Sequence, residues 1–246
     1  MIIAKTPLRI SLLGGSTDIP EIYRHLGYGA TFVGAIDKFC YVTVRPFPPF
    51  FAHKSRAVWS KIEEINEPAE IENPVIRECL NFTGIRDVEV HYQGDLPAWS
   101  GVGSSSSFTV GLLNALYHLR GETPSRMRLA KEAVLIERDL IHDTVGIQDQ
   151  IAAAHGGLVN VETLGDGNVQ VISVGGQLLD CGDRRMAELS SLATLFFSGV
   201  SRVSSAVAKA QTEESADKTD MYRQLVDMAR EGVKIFENES RDLREI

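Results

Sequence analysis

The sequence predicts an α+β fold, because its strand-forming and helix-forming segments follow one another without a repeating order. Three observations support this prediction. The first 45 residues are rich in strand formers interrupted by glycines, a serine-glycine loop near residue 100 leads into a long apolar helix, and the chain from residue 201 onward has the spacing of an amphipathic helix. A regular array of βαβ units would need strict alternation, which this order lacks.

The composition is that of a folded protein with an acidic surface. Of the 246 residues, 43% are hydrophobic and 24% are charged, which excludes global disorder. The length can bury a sizeable core and allows two modest domains. The formal net charge of −8 argues against a general nucleic-acid-binding protein, which needs a basic face, but it permits a phosphate-bearing ligand held by a few local cations.

The cysteines and the apolar runs predict a cytoplasmic location. Cys40, Cys79 and Cys181 are odd in number, far apart and outside any CxxC pair, so we interpret them as reduced thiols without a metal framework. The amino terminus lacks the apolar core and the cleavage site of a secretory signal. The longest apolar runs, such as residues 192–197, are too short to span a bilayer, so we expect no membrane partner.

The amino-terminal half alternates between strands and helices with clear boundaries. Residues 8–13 and 38–45 are rich in strand formers, and the first of these runs stops at two glycines. Residues 73–82 form a candidate helix with Pro74 at its first position. Residues 88–92 alternate like a strand, and a helix with apolar spacing follows the serine-glycine loop and ends at Gly121.

The carboxyl-terminal half adds helices before its last strands. Thr123 and Pro124 are typical of an N-cap and a first helical position, which predicts a helix that runs to about Ile141. The further predictions are a helix at 147–155, strands at 158–162, 169–174 and 192–197, and mostly amphipathic helix from 201 onward. The last helices need a sheet to pack on, and little sequence remains to make one.

The loop at residues 96–108 is the most informative segment. Gly101 and Gly103 allow a tight turn and a close approach to a ligand, and serines stand where the next helix begins. Free N–H groups and the positive end of the helix dipole favour a phosphate there, and a serine hydroxyl could reach Mg²⁺. The loop is neither a Walker loop nor a dinucleotide loop, and a plain glycine-serine turn that caps an ordinary helix is the alternative.

Two acids and one arginine are the candidate catalytic groups. Glu137 and Asp149 lie on consecutive predicted helices that could aim both carboxylates at one point, with Asp149 as a proton acceptor and Glu137 as a metal ligand. Taken singly, an acid at such a position is more often a solvated residue on a helix face. Arg9 interrupts an apolar strand, so it either faces solvent at an edge or pairs with an acid. Asp18 stands in a glycine-rich turn that could merely satisfy backbone donors.

Together these segments resemble the GHMP small-molecule kinases, the superfamily of galactokinase, homoserine kinase, mevalonate kinase and phosphomevalonate kinase. TPLRISLLGGSTDIP is similar to the first motif, LPAWSGVGSSSSFTVGLLNAL to the second, and ERDLIHDTVGIQDQIAAAHGG to the region with the metal-binding glutamate and the catalytic aspartate. The D-glycero-D-manno-heptose 7-phosphate kinases are the most similar branch, with fucokinase-like enzymes as near relatives. The similarity runs from Thr6 to about Arg202, where FSGVSRVSSAVAKAQ is also typical of the branch.

The resemblance implies a role for each motif residue. Asp149 would be the catalytic base, and Arg9 would keep it ionised and stabilise charge on the transferring phosphoryl group. Ser105 and Glu137 would hold Mg²⁺ on the phosphates of ATP. The phosphates of ATP would be bound by the loop residues Gly101, Gly103, Ser104, Ser105 and Ser106. The sugar would be bound by the turn residues Gly14, Gly15, Ser16, Thr17 and Asp18.

The resemblance also implies a two-domain fold. Residues 1–185 would form an ATP-binding domain with a left-handed βαβ crossover, and residues 186–246 an incomplete ferredoxin-like domain. Two departures affect this expectation. Trp99 and Val102 stand where the second motif usually has glycine and leucine, and the glycine-rich third motif is absent because the chain stops before it.

The implied reaction is phosphorylation of the anomeric hydroxyl of a sugar or sugar phosphate, with D-glycero-D-manno-heptose 7-phosphate as the expected acceptor. A phosphorylated sugar needs a cationic pocket, and the candidates near the motifs are Arg24, His25, Lys38 and Arg202. Two alternatives remain open. One is a fucokinase-like sugar 1-kinase, and the other is a non-catalytic relative that senses a sugar or a nucleotide and acts through a partner.

Overall fold

The structure, a computed structural model, describes residues 1–97, 100–174, 184–196, 199 and 218–246. The strands of this part are β1 (Ile2–Leu13), β2 (Tyr28–Pro46), β3 (Ser55–Val58), β4 (Ile62–Ile65), β5 (Val88–Gly94), β6 (Leu158–Leu164) and β7 (Val169–Val174). The α-helices are α1 (Pro20–Leu26), α2 (Pro74–Thr83), α3 (Ser104–Leu119), α4 (Arg126–Leu135), α5 (Gln148–His155), α6 (Arg184–Leu192) and α7 (Thr219–Glu237). Single turns lie at Pro68–Glu70, Ile136–Leu140 and Leu243–Glu245.

One mixed, seven-stranded sheet forms the centre of the fold. Its strands run in the order β4-β3-β5-β2-β6-β7, and β1 pairs with β2. Strand β2 is 19 residues long and pairs antiparallel with β1, β5 and β6, whereas β3 and β5 pair parallel. The strands predicted at 8–13 and 38–45 therefore lie inside two much longer strands. The predicted α+β class is confirmed.

Helices cover both faces of this sheet. Phe32 and Val33 are adjacent on β2 and fully buried, so their side chains point to opposite faces. Phe32 packs in a cluster with Val226 and Phe236 of α7. Val33 packs in a second cluster with residues of α4 and α5. A third and larger cluster joins α2 and α3 to β1, β2 and β5.

Capping residues explain where the helices begin. The Asn73 side chain accepts a hydrogen bond from the backbone N–H of Ile76, and Pro74 opens α2, as the sequence predicts. The predicted start of α4 at Thr123 and Pro124 is wrong, because Ser125 is the N-cap and accepts from the N–H of Arg128. The predicted single helix to Ile141 is an α-helix that continues as the π-helical turn Ile136–Leu140.

The strand predicted at residues 192–197 is wrong within the described residues. Leu192 ends helix α6, residues 193–196 are not in a strand, and Phe197 lies outside the described part. The apolar run was mistaken for a strand because a short hydrophobic stretch fits either element. Arg185 holds α6 against the end of α7 by donating to the backbone carbonyls of Ile235 and Phe236.

Helix α7 contributes to the core of the central sheet. Val226 and Ala229 are fully buried, and Phe236 meets Phe32 edge-to-face with ring centroids 6.4 Å apart. The long amphipathic helix predicted after residue 201 is thus present at Thr219–Glu237, on a sheet made by the amino-terminal half. The division of the chain at residue 185 stays a prediction. Within the described residues, no helix combines the length and the apolar character needed to cross a membrane.

Candidate active site

Arg9 and Asp149 form the centre of the site. Arg9 donates from Nε to Oδ1 of Asp149 at 2.6 Å and from a terminal nitrogen to Oδ2 at 2.5 Å. Strand β1 changes register between Pro7 and Arg9, and such an irregularity re-aims a side chain. Burial alone would lower the pKa of Arg9, but the ion pair with Asp149 outweighs it, so this pKa lies above its usual value. The sequence left open whether Arg9 faces solvent or pairs with an acid, and it pairs with Asp149.

The same guanidinium reaches the serine-glycine loop. Arg9 donates from its other terminal nitrogen to the carbonyl of Gly101 at 2.7 Å, and its backbone N–H donates to the carbonyl of Val102 at 3.0 Å. Gly103 is the N-cap of α3 with φ +71°, in the left-handed region that glycine adopts at little cost. A Cβ there would lie 3.0 Å from Cγ of Arg9. These contacts therefore hold Arg9, the serine-glycine loop and the start of the 16-residue helix α3 in a fixed arrangement.

Glu137 lies in a closed network beneath this loop. Its carboxylate accepts from Ser106 Oγ at 2.9 Å, from Thr109 Oγ1 at 2.6 Å and from Gln150 Nε2 at 2.6 Å. The residue is only 2% exposed. Burial raises the pKa of Glu137 to about 7, and the three donors oppose that rise.

The predicted magnesium pair is not assembled in this arrangement. Ser106, rather than Ser105, contacts Glu137, while Ser105 is exposed. Magnesium prefers an octahedral set of oxygen ligands, and the Glu137 oxygens already accept protein donors. Within the described residues, no group of three or more His, Cys, Asp or Glu side chains is placed to hold a metal ion. A metal role for Ser105 and Glu137 stays a prediction.

Asp18 lies next to Asp149 but is committed to backbone donors. It is 1% exposed, and it accepts from the N–H groups of Ile147 and Gln148 at 2.7 and 2.9 Å and from Gln148 Nε2 at 3.1 Å. Burial raises the pKa of Asp18, although the N–H group of Gln148 opposes that rise. Its predicted contact with sugar hydroxyls stays a prediction, since these three donors already use both of its oxygens.

An open cleft of about 490 Å³ lies over these residues, within the range of small-molecule sites. Its polar wall contains Arg9, Asp18 and Asp149, the turn at Gly15 and Ser16, and loop residues 100–102. Leu195, just after α6, adds an apolar edge. Gly14 and Thr17, which were predicted to bind substrate, are buried behind the wall, where the Thr17 hydroxyl bonds the carbonyls of Gly14 and Ala30.

Several cleft residues were missed by sequence reasoning. Ser11 donates to Oε1 of Gln148 at 2.8 Å, Gly146 lies against Asp18, and Gln150 links α5 to Glu137. The available signal for all four residues was their position within the quoted motifs, Ser11 in the first and the others in the one that contains Asp149. That position does not reveal the contacts between them.

The cationic residues proposed for a sugar phosphate lie elsewhere. Arg24, His25 and Lys38 are absent from the described cleft wall. His25 contacts the hydroxyl of Thr219 at 3.0 Å, and Lys38 pairs with Asp37. Arg202 lies outside the described residues, as does Trp99. Arg9 is the one cation in the part of the wall that the structure describes.

Comparison with known proteins shows which family this chain resembles. Residues 71–157, which include α3 and α5 with its loop, match the family model of the GHMP kinases N terminal domain. The match confirms the resemblance of this chain to that family.

Individual relatives agree with this resemblance. The chain is 25% identical over 214 residues to D-glycero-alpha-D-manno-heptose 7-phosphate kinase of Campylobacter jejuni, covering 80% of this chain and 60% of that protein. It is 28% identical over 173 residues to galactokinase of Pyrococcus furiosus, covering 65% and 46%. The chain thus spans about three fifths or less of these relatives.

The crystal structure of a D-glycero-D-manno-heptose 1-phosphate kinase from Bacteroides thetaiotaomicron superposes with a TM-score of 0.66. The two sequences are 19% identical, and the alignment covers 90% of this chain and 73% of that one. At this identity the likeness shows the fold alone.

Proposed function

We propose that this chain transfers the terminal phosphoryl group of ATP, accompanied by Mg²⁺, to a hydroxyl group of a sugar or sugar phosphate. The observation that carries the proposal is the Arg9 guanidinium, which hydrogen bonds both Asp149 and the carbonyl of Gly101. It joins a carboxylate to a glycine loop at a helix N-terminus, in an open cleft. Phosphoryl transfer needs these parts, because it depends on positioning and on charge stabilisation.

Each part has a definite task in this reaction. Asp149 accepts the proton of the acceptor hydroxyl while the oxygen attacks the terminal phosphorus, and ADP leaves. Arg9 offsets the negative charge that develops on the transferring group. The free N–H groups at the start of α3 hold the remaining phosphates, since a helix N-terminus binds anions. Mg²⁺ would arrive with the nucleotide and neutralise phosphate charge.

The proposed acceptor is D-glycero-D-manno-heptose 7-phosphate, phosphorylated at its anomeric hydroxyl. The Campylobacter jejuni relative supports this choice. The Pyrococcus furiosus galactokinase makes galactose the second acceptor to test. We further propose the cytoplasm as the location, because Cys40 and Cys79 are free and buried.

The test is phosphoryl transfer from Mg-ATP to heptose 7-phosphate, fucose, galactose and mannose. We expect turnover of one sugar, and a loss of kcat of about 1,000-fold in Asp149→Asn, because a general base contributes that much. ATP binding should stay close to wild type, since Asp149 is bonded to Arg9 rather than to the start of α3. Asp37→Asn, at an aspartate that is 91% exposed, is the matched control.

The result also separates the alternatives. Sugar binding without turnover of any acceptor would contradict the kinase proposal and favour the non-catalytic sensor. Unchanged turnover in Asp149→Asn would refute the role of that residue while leaving the reaction itself intact.

A further inference from the structure

The loop that precedes Asp149 is held from two sides. Arg138 donates to the carbonyls of Val145 and Gly146 at 2.9 and 3.2 Å. Asp18 accepts from the next two peptide N–H groups, those of Ile147 and Gln148. Four consecutive residues are therefore fixed by two buried or partly buried side chains. Such double anchoring leaves the following residue, Asp149, little freedom.

Helix α5 depends on Asp18 for its cap. Its own N-cap residue, Ile147, has no side chain that can accept a hydrogen bond from the first turn. The N-terminal N–H groups of a helix need acceptors when they are buried. Asp18 supplies the acceptor from a turn 130 residues earlier in the chain. Asp18 thus caps helix α5, although it belongs to a different element of the fold.

Gly146 makes the approach of Asp18 possible. A Cβ on residue 146 would lie 1.9 Å from Oδ2 of Asp18, and even its Oδ1 would be 2.9 Å away. A side chain at this position would displace the carboxylate or the loop. Glycine at position 146 therefore lets the Asp18 carboxylate reach the N–H groups of Ile147 and Gln148.

We propose that Asp18 is a positioning residue that caps α5 from a distance and so holds Asp149 against Arg9. The inference rests on the proposed function, because it assigns Asp18 to the same phosphoryl-transfer site. It differs from the expected contact with sugar hydroxyls. Asp18 lines the cleft, but only 1% of its surface is exposed and its carboxylate accepts from three N–H donors. It therefore faces helix α5 rather than a sugar in the cleft.

The experiment compares Asp18→Ala, Gly146→Ala and the double variant with wild type. Gly34→Ala is the matched control, because Gly34 lies on β2 and an added Cβ would meet Cδ1 of Leu158 at 3.3 Å. Two NMR measurements report on the geometry without any reaction: hydrogen exchange at the N–H groups of Ile147 and Gln148, and exchange of the Arg9 Nε–H proton. Steady-state kinetics and sugar binding report on function.

We expect faster exchange at all three protons in both single variants and wild-type exchange in Gly34→Ala. The value of kcat should fall about 10- to 100-fold, since small displacements of a catalytic group have such effects. Sugar affinity should stay unchanged. The double variant should be no worse than Asp18→Ala, because both changes remove the same interaction.

Two results would overturn the inference. One is retained protection of the N–H groups of Ile147 and Gln148 in Asp18→Ala. The other is a rise in the sugar dissociation constant with an unchanged kcat, which would make Asp18 a substrate ligand. If wild type turns over no sugar, the proposed function fails, and the exchange of the Arg9 Nε–H proton alone decides whether Asp18 holds Asp149 in place.

Discussion

Arg9 donates two hydrogen bonds to Asp149, which lies 140 residues further along the chain. The Arg9 side chain is 12% exposed and that of Asp149 is 23% exposed, so water screens the pair only partly. The arginine adds a third bond to the carbonyl of Gly101. One planar group thereby fixes the distance between the proposed base and the serine-glycine loop.

Replacement of Arg9 by lysine should disrupt the hydrogen bonds that join this residue to Asp149 and to the carbonyl of Gly101. A lysine ammonium keeps the charge but cannot donate in the planar two-point geometry that Asp149 requires. We expect kcat to fall about 100-fold, because the loss of one preorganised donor has that effect. The measurement is steady-state kinetics with the acceptor that the phosphoryl-transfer assay selects.

Arg45→Lys is the control for this substitution. Arg45 also pairs with a carboxylate, Glu89, through its Nε and a terminal nitrogen, but both residues lie outside the described cleft wall. It should leave kcat unchanged. Equal losses of kcat in the two variants would mean that Arg9 acts only through stability.

Neighbouring serines at the start of α3 should separate stability from ligand binding. Ser106→Ala removes a donor from the buried carboxylate of Glu137 and should lower the free energy of unfolding by about 1–3 kcal/mol. Ser105 is exposed, so Ser105→Ala should leave stability unchanged and weaken Mg-ATP binding. Urea unfolding and calorimetric titration measure the two effects. An unchanged free energy of unfolding in Ser106→Ala would contradict the predicted stabilisation by the hydrogen bond between Ser106 and Glu137.

Local signals in the sequence predicted much of the fold. Asn73 and Pro74 mark the start of α2 because capping depends on adjacent residues. The strand error at residues 192–197 arose because a short apolar run does not reveal whether it packs as helix or strand. The start of α4 was misplaced by two residues, since Thr123 and Ser125 are both good caps and only packing selects between them.

The parts of the candidate site and one of its contacts were predicted, but most of its contacts were not. Arg9 and Asp149 were paired by resemblance, and the structure brings them together. The contact of Asp18 with the N–H groups of residues 147 and 148 could not be inferred, because a buried carboxylate that caps a distant helix leaves no local pattern. Ser105 and Ser106 differ by one residue in sequence, yet the helix turns one outward and the other towards Glu137.

The packing of α7 provides a test of the predicted division at residue 185. Phe236 is 2% exposed and contacts Phe32 of the central sheet. Phe236→Ala should lower the free energy of unfolding by about 3–5 kcal/mol. If α7 and the sheet form one cooperative unit, near-ultraviolet circular dichroism and far-ultraviolet circular dichroism will give one coincident transition. Two separate transitions, with only the smaller one shifted, would instead favour the predicted division.

The ion pair between Glu162 and Arg230 should make the attachment of α7 depend on pH. Arg230 donates to both oxygens of Glu162 at 3.1 and 2.7 Å, and these hydrogen bonds lower the pKa of Glu162 below its usual 4.5. A lowered native pKa stabilises the fold above the unfolded value, and the contribution disappears as pH falls through the native value. Because Arg230 is 39% exposed, Arg230→Gln should cost under about 1 kcal/mol at neutral pH. Urea unfolding should show this difference at pH 7 and a smaller one as the pH falls below 4.5, whereas Arg223→Gln, at an exposed pair on the same helix, should show little at any pH. A difference that does not shrink as the pH falls below 4.5 would mean that Arg230 stabilises through packing on Tyr28 rather than through charge.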